Sequence, residues 1–209
     1  GDLGTVLDVI WVDGYYMTTD GSYLVVTELG NPFSVNPLKY GSSEADPDPI
    51  VALLKVRNEP YALNRYTIEV FDNVGGSLFP FARNEGAQIQ KGVVGGRACC
   101  VFRDAVAFVG GGRNEKVSVY IGANGQALKI APEEIDTILS GYSEVDLAAC
   151  YVESRVDGSH QVLYVHLPDK SLVYDAGASE AAQQPIWVIL TTSVVGDAQY
   201  KAQGHVWCY

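Results

Sequence analysis

The sequence has no excess of positive charge and no long apolar run. Of its 209 residues, 14 are Lys or Arg and 25 are Asp or Glu, which gives a net charge of −11. A surface of this sign repels a phosphate backbone, so direct or sequence-specific nucleic-acid binding is not expected. No apolar run approaches the roughly 18 residues that a membrane-spanning helix requires, so no membrane contact is predicted either. With 47% hydrophobic residues, the chain can still bury a sizeable core.

Residues that usually carry chemistry are also scarce. The four cysteines have neither the C-x-x-C spacing of a metal site nor the density of a disulfide scaffold: Cys99, Cys100, Cys150 and Cys208. The three histidines form no metal-ligand motif, and no G-x-S-x-G motif marks an activated serine. The sequence therefore predicts no catalytic residue, no metal and no cofactor. The cysteines are expected to be small buried hydrophobic residues in a reducing compartment.

The glycine-rich stretch GAQIQKGVVGGRACC, residues 86–100, allows two interpretations. A phosphate-binding P-loop would need its lysine after the last glycine and a helix next, whereas Lys91 precedes Gly92 and RACCVF has the composition of a strand. The stretch is better interpreted as a joint between two sheets, in which Gly92, Gly95 and Gly96 provide unusual backbone angles.

Short apolar segments separated by turn dipeptides indicate antiparallel sheets. Asp13-Gly14 and Asp20-Gly21 flank YYMTT, and Asn124-Gly125 separates VSVYI from QALKI. Such dipeptides favour the positive φ angles of tight hairpins. Similar groups of strands begin near Asp8, Ala52, Ala98, Ala149 and Lys201, a spacing of about 44 to 52 residues that is typical of propeller blades. The predicted fold is all-β, a propeller-like array of about four small antiparallel sheets in one domain, with a sandwich of meanders as the structural alternative.

Two segments depart from the strand pattern. APEEIDTILSGY has Pro132 in a first-turn position, apolar residues at helical spacing and Gly141 as a stop, which predicts one short helix. The proline-containing segment from Leu29 to Ile50 is predicted to be a long loop, and loops of that length are often functional. Carboxylates such as Asp46, Asp48, Glu69 and Asp72 keep a carbohydrate-binding or glycoside-hydrolase propeller open as the alternative function.

Five segments follow one another along the chain: GYYMTTDGSYLVVTEL, TIEVFDNVGG, IQKGVVG, VSVYIGANGQALKI with IDTILSGYS, and HQVLYVHLPDKSLVYDAG followed by IWVIL. In this order they resemble the packaged-DNA stabilisation, or tail hub (nozzle), family of short-tailed phages and prophages. Their common order extends over nearly the whole chain. Members of this family are longer at both ends, and the initial Gly1 is typical of tag removal, so residues 1–209 are expected to be a central portion of a longer protein.

The resemblance implies a structural virion protein without catalytic residues. Such a hub closes the channel below the portal and its adaptor, retains packaged DNA, and docks the tail needle and tailspikes as a ring of six. The protein would reside in the virion tail after synthesis in the bacterial cytoplasm. The long loop and the helix are the candidate protein interfaces, with these residues: Phe33, Tyr40, Asp46, Asp48, Ile135 and Leu139.

Overall fold

The computed structural model describes residues 5–43, 48–158, 160–193, 195–196 and 198–205. The strands of these segments form four antiparallel sheets that follow one another along the chain. Sheet 1 contains β1 (Asp8–Val12), β2 (Tyr15–Thr19), β3 (Tyr23–Glu28) and β4 (Asn31–Ser42). Sheet 2 contains β5 (Ile50–Val56), β6 (Glu59–Asn64), β7 (Ile68–Asn73) and β8 (Phe81–Arg83).

The other two sheets continue the same order. Sheet 3 contains β9 (Gly92–Val93), β10 (Cys99–Phe102), β11 (Ala105–Gly111), β12 (Ser118–Ala123) and β13 (Gln126–Lys129), where β9 and β10 both pair with β11. Sheet 4 contains β14 (Tyr151–Asp157), β15 (His160–His166), β16 (Ser171–Asp175) and β17 (Trp187–Leu190). The all-β array of about four small antiparallel sheets is therefore confirmed, in place of the two large sheets of a sandwich.

The sheets stack through their first strands. β1 lies against β5, β5 against β10, and β10 against β14. One apolar core fills the space between sheets 1 and 2, and a larger core joins sheets 2, 3 and 4. Sheet 2 is buried on both faces, because Tyr61 and Leu63 belong to the larger core while Ala62 between them belongs to the smaller one. A hydrogen bond also joins sheets 1 and 2, since the Leu53 backbone N–H donates to the side-chain Oδ2 of Asp8 at 2.7 Å.

The predicted turns and helix are present. Asp13 and Gly14 have φ values of 50° and 83°, and Asn124 and Gly125 have 50° and 76°, which match a tight hairpin turn. Helix α1 spans Glu133–Ser140, as expected, and two further short helices were not predicted: α2 (Glu144–Ala148) and α3 (Ala176–Ala182). No helix in the described segments is long and apolar enough to cross a membrane.

Two sequence predictions need correction. Most of the segment from Leu29 to Ile50 is not a loop, because Asn31–Ser42 forms the edge strand β4. An edge strand tolerates prolines, and the β3–β4 register shifts twice, so the backbone adapts locally to them. The predicted strand from Lys201 is not seen either, since residues 201–205 form no strand and residues 206–209 lie outside the described segments.

Residues 86–100 form the predicted joint, but their glycines serve a different purpose. Neither Gly92 nor Gly95 has a positive φ. Instead they allow backbones to approach closely: a Cβ on Gly92 would lie 2.3 Å from the carbonyl oxygen of Asn64, and one on Gly95 would lie 2.0 Å from that of Ala148. The joint therefore brings together the turn that follows β6, the start of sheet 3 and helix α2.

Candidate interaction surfaces

The outward face of sheet 1 is apolar and exposed. Cross-strand pairing places Trp11 opposite Tyr16, and Val25 opposite both Thr18 and Tyr40, so these side chains share one face. This outward face exposes between 40% and 65% of each of six large side chains: Val9, Trp11, Tyr16, Tyr23, Leu38 and Tyr40. The opposite face of the same sheet is buried against sheet 2, with Val12, Met17, Leu24 and Val26 fully enclosed. A sheet that is apolar on both faces but covered on one has a free docking surface.

Aromatic contacts order this outward face. The rings of Tyr23 and Tyr40 meet edge to face with their centroids 5.4 Å apart. The Lys55 ammonium, from sheet 2, lies 4.9 Å from the centre of the Trp11 ring. These contacts hold the aromatic rings in place without covering them, so the surface is preformed.

Of the six interface residues proposed from the sequence, the five that the structure describes do not form one surface. Phe33, which is 96% exposed, and Tyr40 lie on β4. Asp48 is buried, and its Oδ2 accepts hydrogen bonds from the Tyr66 N–H at 2.7 Å and the Thr67 hydroxyl at 3.2 Å. Asp46 lies outside the described residues.

The helix residues Ile135 and Leu139 cannot meet a partner in this fold. Both are buried in the chain's own core, because the apolar side of α1 packs beside sheet 3. Of the six residues, only Phe33 and Tyr40 are shown to be exposed. Sequence reasoning missed the rest of the outward face of sheet 1, although DVIWV carried a signal for it. Because its apolar residues are consecutive, some of them must lie on each face of β1.

A polar cluster occupies the outward face of sheet 4. Glu153 Oε1 accepts from His166 Nε2 at 2.9 Å and from His205 Nδ1 at 2.8 Å, and Oε2 accepts from the His205 N–H at 3.0 Å. Burial raises the pKa of Glu153, but these hydrogen bonds outweigh it and hold that pKa below its usual range. The cluster thereby fastens His205 to the outward face of sheet 4.

The same cluster contains the residue types of a hydrolase triad. His166 Nδ1 lies 2.7 Å from the hydroxyl of Ser171. Ser171 has no accessible surface, however, and His166 is buried as well. A substrate cannot reach this serine, so the arrangement is structural.

A groove on another side of the chain is lined by Glu115 and Glu144, which bears on the glycosidase alternative. Glu144 is paired with Arg65 at 2.8 Å, and Glu115 with Lys91. Hydrogen bonds from Lys91 and Gly112 lower the pKa of Glu115. A glycosidase needs one carboxylic acid that retains its proton near neutral pH, and Glu115 does not meet that requirement. Within the described residues, no group of three or more His, Cys, Asp or Glu side chains is placed so that it could hold a metal ion.

We expect Cys99, Cys100 and Cys150 to be chemically inert in the folded protein. Burial raises the pKa of Cys100 and Cys150 to about 12, and raises that of Cys99 as well. Since the thiolate is the reactive form, iodoacetamide at pH 8 should label these three sites only after unfolding in urea, as measured by peptide mass spectrometry. Rapid labelling of Cys100 in the native protein would show instead that β10 opens.

The family to which the sequence is matched has the same kind of fold as the four stacked sheets of this chain. A family model described as bacteriophage P22 Gp10, β-propeller, matches residues 1–209. The tail hub protein gp10 of Salmonella phage P22 is 30% identical over 204 residues, which cover 94% of this chain and 42% of that protein. The chain thus spans less than half the length of this relative.

Among solved structures, a GH43 glycoside hydrolase with an engineered active site is similar over 93% of this chain and 42% of its own, with 11% identity and a TM-score of 0.38. A likeness of that size supports no argument about activity. The resemblance that the ordered segments indicated is confirmed by the family model and by the gp10 match. The chain belongs to the bacteriophage P22 Gp10 β-propeller family.

Proposed function

We propose that this chain is part of the tail hub of a short-tailed phage or prophage, a structural protein that closes the portal and adaptor channel and retains packaged DNA. The observation that carries the proposal is the 30% identity to the tail hub of phage P22 over almost the whole chain. The proposed mechanism is mechanical. Hydrogen-bonded sheets that share apolar cores hold their shape under load, and exposed faces and loops bind neighbours.

In the complete hub, this chain is one part of a larger propeller. Residues 1–209 form four sheets of a longer propeller, and the outward face of sheet 1 packs on another part of that protein. Two observations support this position. The outward face of sheet 1 is apolar although the inward face of that sheet already packs on sheet 2, and the P22 relative is more than twice as long as this chain. In the virion tail the complete protein forms a ring of six below the adaptor and docks the tail needle and tailspikes, with Phe33 among the docking residues, whereas Tyr40 belongs to the covered outward face of sheet 1.

The proposal predicts a defect in DNA retention. A nonsense mutation in the gene for the complete protein should yield filled heads that lose their genome, measured as DNA that remains protected from nuclease. The wild-type gene supplied in trans should restore retention. The Trp11→Asp variant should fail to do so, because it places a charge on the outward face of sheet 1.

Val145→Asp is the matched control, since Val145 is 78% exposed on α2, away from sheet 1. It should restore retention fully. Particles that keep their DNA without the protein, but no longer degrade host polysaccharide, would overturn the hub proposal. Ring formation has a separate test: light scattering of the complete protein mixed with its adaptor should detect a cyclic assembly, and persistent monomers would contradict it.

A further inference from the structure

A groove of about 770 Å³ lies where three distant segments meet. Its walls are the turn that follows β6, the hairpin loop between β11 and β12, and the region from the end of α1 into α2. The turn is rigid, because buried Asp48 accepts hydrogen bonds from the Tyr66 N–H and the Thr67 hydroxyl. The volume of the groove falls within the usual range for ligand sites, about 300 to 1,000 Å³.

Positive charge collects around one aromatic ring of this groove. The guanidinium carbon of Arg65 lies 4.7 Å from the centre of the Tyr66 ring, and that of Arg113 lies 5.1 Å from it. The two guanidinium groups are therefore within about 10 Å of each other, a distance at which like charges still repel. Glu144 balances the charge of Arg65.

Two cations have no carboxylate to balance them: Lys116, which lines the groove, and Arg113, which does not line it but lies against the ring of the lining residue Tyr66. Within the described segments, Arg113 contacts the Tyr66 ring but forms no ion pair, and Lys116 on the groove wall forms none either. The neighbouring Glu115 is already paired with Lys91. In a chain with a net charge of −11, this is a local excess of positive charge beside an open cleft.

We propose that this groove binds an acidic extended segment of a partner polypeptide, through carboxylate contacts with Arg113 and Lys116. A planar guanidinium on an aromatic ring is well placed to donate two parallel hydrogen bonds to a carboxylate. Charge also narrows the choice of partner. A second copy of this chain and a DNA duplex are both strongly acidic overall and would be repelled by the rest of the surface. The inference does not depend on the proposed hub function.

Fluorescence anisotropy with a fluorescein-labelled hexaglutamate peptide at low salt tests the proposal. The peptide should bind, and a labelled hexaglutamine peptide and a single-stranded DNA oligonucleotide should not. Arg113→Gln should weaken binding about tenfold, because it removes a charge-assisted contact. Glu144→Gln should tighten binding severalfold, because it frees Arg65 for the peptide; a purely structural role for this exposed residue would not give that result.

Arg97→Gln provides the matched control. Arg97 also lies over a tyrosine ring, 4.5 Å from the centre of Tyr151, but away from the groove. Its replacement should leave the affinity within about twofold of wild type. Equal losses for Arg97→Gln and Arg113→Gln, or no effect of Glu144→Gln, would overturn the proposal. Absence of peptide binding, or preferential binding of the oligonucleotide, would overturn it as well.

Discussion

Replacing Gly95 with alanine is expected to lower the free energy of unfolding by about 3 kcal/mol, because the new Cβ has no space. It would lie 2.0 Å from the carbonyl oxygen of Ala148 and 2.7 Å from the carbonyl carbon. Both atoms belong to backbone at the end of α2, where the Ala149 N–H donates to Val145 O and the Cys150 N–H to Leu147 O. The Gly95 carbonyl is itself held by the Ala98 N–H at 3.0 Å. Neither side can move without breaking hydrogen bonds.

Thermal unfolding followed by circular dichroism measures this effect. For a domain of this size, the melting temperature should fall by about 6 to 12 °C. Gly86→Ala, nine residues earlier in the same joint, is the control, since its nearest neighbour would be Asn84 Oδ1 at 3.5 Å and its φ is not positive. We expect the control to melt within about 2 °C of wild type. A similarly small shift for Gly95→Ala would show that α2 can move away from the joint.

Local sequence signals predicted the hairpins where residue chemistry dictates the turn. Asp13-Gly14 and Asn124-Gly125 adopt positive φ because Gly tolerates it and Asn and Asp resist it less than most residues. The first hairpins of sheets 2 and 3 turn at Arg57 and Arg103, both with φ of 55°. Arginine gives no such local signal, so these turns follow from the pairing of the flanking strands. Strand pairing also explains β4, which two prolines concealed.

The candidate surfaces were harder to predict because they depend on contacts between distant segments. The groove needs Tyr66 beside Arg113, and the cluster on sheet 4 needs Glu153 beside His205. No local periodicity encodes such pairs. The sequence also placed Ile135 and Leu139 at an interface, because an amphipathic helix has the same pattern whether its apolar side meets its own sheet or another protein.

Removing the charge of Glu153 is expected to destabilise the chain by about 3 kcal/mol at pH 7. Glu153→Gln keeps the shape of the side chain, but its NH2 group replaces one of the two oxygens that accept from His166 and His205, so that position faces a donor with hydrogens of its own. Asp157→Asn is the matched control at the end of the same strand, since Asp157 is largely exposed and its oxygen is 3.6 Å from Arg155. Exposed pairs of this kind contribute little, so the control should change stability by less than about 0.5 kcal/mol.

The pH dependence identifies the carboxylate charge as the source of this stability. Because the folded-state pKa of Glu153 is lowered from 4.5, its contribution is fully present above pH 4.5 and is lost as the pH falls through the lower folded-state pKa. Urea unfolding of wild type and Glu153→Gln at several pH values should therefore give a difference in free energy that is present at pH 7 and shrinks as the pH falls below 4.5. A difference that persists unchanged at pH 3 would mean that packing, and not charge, fastens His205 to sheet 4.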